Sequence, residues 1–144
     1  MSRLRRANPG QTLVEFALVL TVFLLMTMGI VDLGRGILTY NMISNAAREG
    51  ARVGIYRTNQ MSDMCARAIA AVPAAGVTSA TCSNSGSSSS VTAGTLKVQV
   101  QRGTAGDATA PDQVTLTYAF SPITPIIGTT PITLTAESSM YVEN

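Results

Sequence analysis

Two hydrophobic patterns divide this chain. From Phe16 to Val31 no side chain is charged and nearly all are apolar, whereas from Leu96 onward apolar and polar residues alternate. The first pattern predicts a helix that faces lipid. As an α-helix, residues 11–31 rise roughly 30 Å, matching a hydrocarbon core of about 30 Å. Asp32 and Arg35 close the run, spaced so that they can pair on one helix face. The stretch is longer than the apolar core of an ordinary secretory signal, and no Ala-x-Ala-like site follows it, so a retained anchor is expected.

Helical spacing continues past the anchor. Ile37, Tyr40, Met42, Ile43, Ala46, Ala47, Gly50, Ala51 and Gly54 keep an apolar and small face, with Ser44, Asn45, Arg48, Glu49 and Arg52 on the polar side. Ala46, Gly50 and Gly54 recur every fourth position, a spacing that lets another backbone approach closely. That backbone belongs either to a neighbouring helix or to the chain's own sheet, and spacing does not choose between them. One helix from Gln11 to about Tyr56 would be roughly 70 Å long. Gly34 and Gly36 predict a bend or local opening, since each glycine costs about 1 kcal/mol relative to Ala.

A short second helix is expected next, capped by Thr58 or Asn59 and ended by Pro73 and Gly76. Its apolar face would use Met61, Met64, Cys65, Ala68, Ile69 and Val72. The run of Ser, Asn and Gly from Ser83 to Ser90 reads as a flexible polar loop. Period two then marks three strands. Their inward sets are Leu96, Val98 and Val100; Val114, Leu116, Tyr118 and Phe120; and Ile132, Leu134 and Ala136, with Met140 and Val142 in the same parity. Connections fall at Gly103–Pro111 and at Pro122–Pro131, where Pro125 also discourages pairing. The expected fold is α+β: a long N-terminal transmembrane helix, a short helix, and an antiparallel three-stranded sheet covered on one face by the outer half of the long helix. The chain divides into a leader at residues 1–10, the long helix at 11–56 and an exported domain at 57–144.

Composition narrows the function. Mean hydropathy is +0.27 and 46% of residues are hydrophobic, yet these numbers average an anchor with a polar remainder. The formal charge of +2 rests on Arg3, Arg5 and Arg6; without residues 1–10 it falls to −1. A basic excess confined to the leader gives no support to nucleic-acid binding, and arginines ahead of an apolar run orient the N-terminus toward the cytoplasm. With no histidine and only two cysteines, neither a structural zinc site, another cofactor nor His-dependent nucleophilic catalysis is expected. Asp107 and Asp112 sit in a Gly/Ala/Thr/Pro context without an adjacent base, so the chain reads as non-enzymatic. An oxidising exported location makes a Cys65–Cys82 disulfide the natural reading, with two free thiols as the alternative.

The most informative residue is Glu15, a carboxylate at the start of the apolar run, just after Gly10-Gln11 and next to Phe16. An unpaired carboxylate in hydrocarbon costs on the order of 2.5–3.5 kcal/mol, so a partner is required unless the side chain snorkels to the interface. Gly10, Glu15-Phe16, the apolar run, Gly29 to Arg35 and the block Ser44-Asn45-Ala46-Ala47-Arg48-Glu49-Gly50-Ala51-Arg52 together resemble the TadE-like family of pseudopilins, minor components of tight-adherence type IV pilus systems.

That resemblance implies a pilin-like subunit cut by a membrane prepilin peptidase between Gly10 and Gln11. Glu15 would then neutralise the new N-terminal amine of a neighbouring subunit, with Phe16 either in a recognition role or simply an apolar residue facing lipid. It also implies other pilin or pseudopilin subunits and an inner-membrane assembly platform as partners. The chain would be a single-pass protein of the bacterial inner membrane, with its N-terminus in the cytoplasm and its C-terminal domain exported, that enters or primes the pilus. The alternative is a membrane-anchored assembly factor that never joins the fibre.

Overall fold

The computed structural model describes residues 9–55, 60–72, 81–103, 111–124 and 130–141. The leader residues 1–8, Tyr56, the expected caps Thr58 and Asn59, the expected breakers Pro73 and Gly76, and Asp107, Pro125 and Val142 lie outside these. Helix α1 runs from Pro9 to Gly54 and α2 from Met61 to Ala70. Five strands follow: β1 Ser83–Ser85, β2 Ser88–Ala93, β3 Leu96–Gln101, β4 Asp112–Phe120 and β5 Ile132–Met140.

Within the described residues α1 begins at Pro9. At 46 residues it is about 69 Å long. It passes through Gly34 and Gly36 as unbroken helix, so the expected local opening is absent. Two isolated glycines cost a helix of this length only about 1 kcal/mol each; a Cβ on Gly36 would stand 4.0 Å from Phe120 Cζ, and one on Gly34 would meet nothing within 4 Å. The start of α2 is Gln60 rather than the two residues expected, because the Asp63 carboxylate accepts the Gln60 N–H at 2.9 Å and closes the first turn.

The sheet is a simple antiparallel meander, β1-β2-β3-β4-β5. It has five strands where the alternation pattern predicts three. The difference is the Ser-rich stretch, which forms β1 and β2 instead of a loop. In β2, Ser89, Val91 and Ala93 stand opposite Val100, Val98 and Leu96, so the inward parity of β3 extends across a strand whose own sequence is mostly hydroxyl. Gly86 and Gly94 both hold φ of +60° at the first central position of two-residue turns. That is the type II′ geometry which matches strand twist, and glycine adopts it without strain.

Valine and leucine pair along the centre of the sheet: Val100 with Val114, Val98 with Leu116, then Leu116 with Ala136. The outer half of α1 packs over β4 and β5, and α2 over β3 and β2. Ile43, Ala46, Ala47 and Ala51 of α1 are fully buried with Met64, Cys65 and Ala68 of α2 against this face.

Candidate functional site: a long apolar helix with a clamp at its midpoint

The residues that carry the functional reading all lie on α1 or hold something against it. Along residues 10–28 every side chain is exposed, including Gly10, Gln11, Glu15 and Phe16. Leu13, Val14, Leu18, Val22, Phe23 and Met26 are each more than 60% accessible. Two hydroxyls in this run are satisfied internally: Thr21 Oγ1 donates to the Ala17 carbonyl and Thr27 Oγ1 to the Phe23 carbonyl. Backbone and hydroxyls alike are therefore bonded within the helix, which is what lipid or another apolar helix demands. This helix is long and apolar enough to cross a membrane. Glu15 has no hydrogen-bond or ion-pair partner among those described.

The small-residue face behaves differently. A Cβ placed on Gly50 would stand 3.0 Å from Ala68 Cβ, 3.1 Å from the Met64 carbonyl and 3.2 Å from Val114 Cγ1. On Gly54 it would meet Met64 Cε at 2.5 Å and Asp112 Oδ2 at 2.9 Å. Ala46 is fully buried beside them. Ala46, Gly50 and Gly54 thus bring α1 close to α2 and β4 of the same chain, so this face is occupied within one subunit.

Between the two halves sits a clamp that the sequence reading missed. Asp32 is 3% accessible, and its carboxylate accepts the Ile123 N–H at 3.0 Å and the Thr124 N–H at 2.7 Å. Arg35 Nη1 lies 3.4 Å from Asp32 Oδ1, as the spacing on the helix predicts, and its guanidinium carbon is 5.6 Å from the Phe120 ring centre. The Thr124 side chain, close by though its hydroxyl makes no bond of good geometry, and the Ile123 and Thr124 amides hold the Asp32 carboxyl below its ordinary value of 3.8, against the opposing effect of burial. The sequence signal for this clamp was an acid ending an apolar run, together with a charge-free loop elsewhere; nothing local linked the two.

At the far end of the sheet Asp112 has a comparable anchoring role. Its Oδ1 accepts the Gly103 N–H at 2.8 Å, and Oδ2 stands 3.8 Å from Arg102 Nε. Cys65 and Cys82 are joined by a disulfide with Cα atoms 6.3 Å apart, tying α2 to the start of β1. Among the described residues no group of three or more His, Cys, Asp or Glu side chains gathers to hold a metal.

The family model of TadE-like proteins matches residues 10–52, which are nearly the whole of α1. The match agrees with the resemblance carried by the Gly10, Glu15-Phe16 and Asn45–Arg52 segments. No curated protein and no solved structure matches the chain.

Proposed function

We propose, from a helix of TadE-like sequence, that this protein is a minor pilin or pseudopilin: a non-enzymatic structural subunit that enters or primes a tight-adherence pilus. One observation carries the reading. The inner half of α1 presents bulky apolar side chains on every side, while the outer half already packs on its own domain. The inner half therefore takes its partners from outside the chain, lipid first and other pilin helices afterwards.

In this reading the prepilin peptidase cuts between Gly10 and Gln11 at the cytoplasmic face of the inner membrane. The new α-amino group lies about 6 Å along the helix from the level of Glu15. On docking, Glu15 of one subunit meets the amine of its neighbour; each charge offsets the cost of burying the other, and the pair sets axial register. The exported sheet then faces outward from the fibre.

The test compares wild type with Glu15→Ala in cells with working pilus machinery, reading the mature N-terminus by mass spectrometry and incorporation by recovery in sheared filaments. Both proteins should begin at Gln11. Breaking a buried pair costs about 3–5 kcal/mol, so the variant should fall more than a hundredfold in incorporation. Normal incorporation would remove the role given to Glu15. A processed wild-type protein that stays wholly in the membrane fraction would instead indicate an assembly factor outside the fibre.

A further inference from the structure

We propose that the β4–β5 end of the folded domain is itself a membrane-contacting surface, dipping into the leaflet at which α1 leaves the bilayer, with Pro122, Ile123 and Ile132 facing lipid. The inference rests on residues 11–31 of α1 spanning the membrane, and goes beyond the pilin reading, which leaves the domain free of the bilayer.

Three observations carry it. The first is depth. Ile123 and Thr124 share one apolar cavity with Leu24, Thr27, Met28 and Val31. Leu24 precedes Asp32 by eight residues, about 12 Å down the helix axis and within the spanning segment. Ile123 and Thr124 are therefore held at the level of Asp32, against side chains of the last turns of the apolar run.

The second is exposure. Among the described residues beyond α1, and apart from Tyr141, the exposed large hydrophobic residues are Ile123 at 64% and Ile132 at 43%. They flank the β4–β5 connection, at the end of the sheet where Phe120 pairs with Ile132. The neighbouring groove is walled by Leu33, Ile37 and Tyr40 of α1 with Phe120, Ile132 and Leu134 of the sheet. This apolar surface is continuous with the lipid-facing helix, so one occupant, the bilayer, covers both.

The third is charge. From Gln113 to Ala136 the sequence contains no charged residue, and after Arg35 the next on α1 is Arg48. On β3, Lys97 stands opposite Thr117, back from the Phe120 end. Asp32 and Arg35 are thus the charges at this end of α1 and β4–β5, and they face each other. The clamp follows from the same requirement. Backbone amides near hydrocarbon must be bonded internally, and the Asp32 carboxylate takes those of Ile123 and Thr124. Tyr40, half-exposed above the groove, has the amphipathic character of an interfacial aromatic.

The chain contains no tryptophan, so a single introduced indole reports its own surroundings. The full-length chain is reconstituted into phosphatidylethanolamine–phosphatidylglycerol vesicles with and without brominated acyl chains. Ile123→Trp and Ile132→Trp are compared with Val22→Trp inside the span and with Ser139→Trp near the Asp112 end, about 27 Å away as measured along α1 from Gly36 to Gly54. All four positions are exposed, so the fold is retained, and circular dichroism checks this. Emission at positions 123 and 132 should be blue-shifted and quenched by bromine as at 22, while 139 stays water-like and unquenched. Quenching at 22 with none at 123 or 132 would overturn the membrane contact and leave the span intact. A blue shift at 123 without bromine quenching would assign the surface to another protein copy and overturn the lipid assignment. Failure at 22 would remove the span, and the proposal with it.

Discussion

The two halves of α1 share one regular backbone and differ in everything that surrounds it. From Leu13 to Val31 the large side chains, chiefly Leu, Val, Phe and Met, stand in the open; from Ile43 to Gly54 the inward positions are Ile43, Ala46, Ala47, Gly50, Ala51 and Gly54, and they are buried. Large side chains hold the helix axis away from a neighbour and suit a fluid or exchangeable environment. Small ones draw two backbones together and suit one permanent partner. The contrast teaches that a small-residue stripe in a helix of this kind need not mark contact between subunits. Here the stripe is consumed by the chain's own α2 and β4, and the bulky half is left exposed.

That contrast can be broken most forcefully at Gly50. Gly50→Leu drives a branched side chain into Ala68, the Met64 carbonyl and Val114, and should lower domain stability by about 3 kcal/mol, as overpacking does. Gly29→Leu, in open space on the bare half, should leave it unchanged. Chemical denaturation of the detergent-solubilised full chain measures both, and equal effects would dissolve the distinction.

Removing the disulfide should come close behind. The Cys65–Cys82 bridge, at a separation of 17 residues, is worth about 3 kcal/mol in the chain-entropy model. Cys65→Ser with Cys82→Ser, or reduction, should lower the unfolding midpoint of the packed half. The helicity of α1 within lipid should stay the same by circular dichroism.

A smaller, pH-dependent effect belongs to the clamp. Folding lowers the Asp32 pKa from 3.8, so the ionised form stabilises the fold. Its contribution is complete above about pH 5 and fades as pH falls through 3.8 toward the lower folded value. Asp32→Asn should therefore be less stable than wild type at neutral pH, with the gap closing in acid. A gap constant with pH would show that the carboxylate charge is not what holds the loop.

The smallest change should be at Arg67 and Glu49, 3.4 Å apart on the α1–α2 surface and both well exposed. Surface pairs of this sort are worth about 0–1 kcal/mol. A double-mutant cycle should find a coupling in that range, falling with added salt.

Much of this division was legible in the residues. The charge-free stretch announced an exposed helix long and apolar enough to cross a membrane, the period-two runs of Leu96–Val100 and Val114–Phe120 announced buried strand faces, and the Asp32–Arg35 spacing announced their pairing. Ser88–Ala93 was not legible as a strand. Hydroxyl-rich sequence has little preference of its own, and β2 exists because β3 offers it an edge and Gly94 turns the chain back.

By itself the sequence determined a long apolar helix, the placement of one carboxylate near its start, and the alternation that makes a one-sided sheet, because each depends only on the spacing of side chains along a regular backbone. Only the tertiary structure decided which partner the Ala46–Gly54 face takes, how many strands the sheet has, and that Asp32 reaches Ile123 and Thr124 across more than ninety residues of chain. Those outcomes depend on which surfaces compete to cover one another. That competition is settled by burial and hydrogen-bond satisfaction over the whole domain, which no local spacing records.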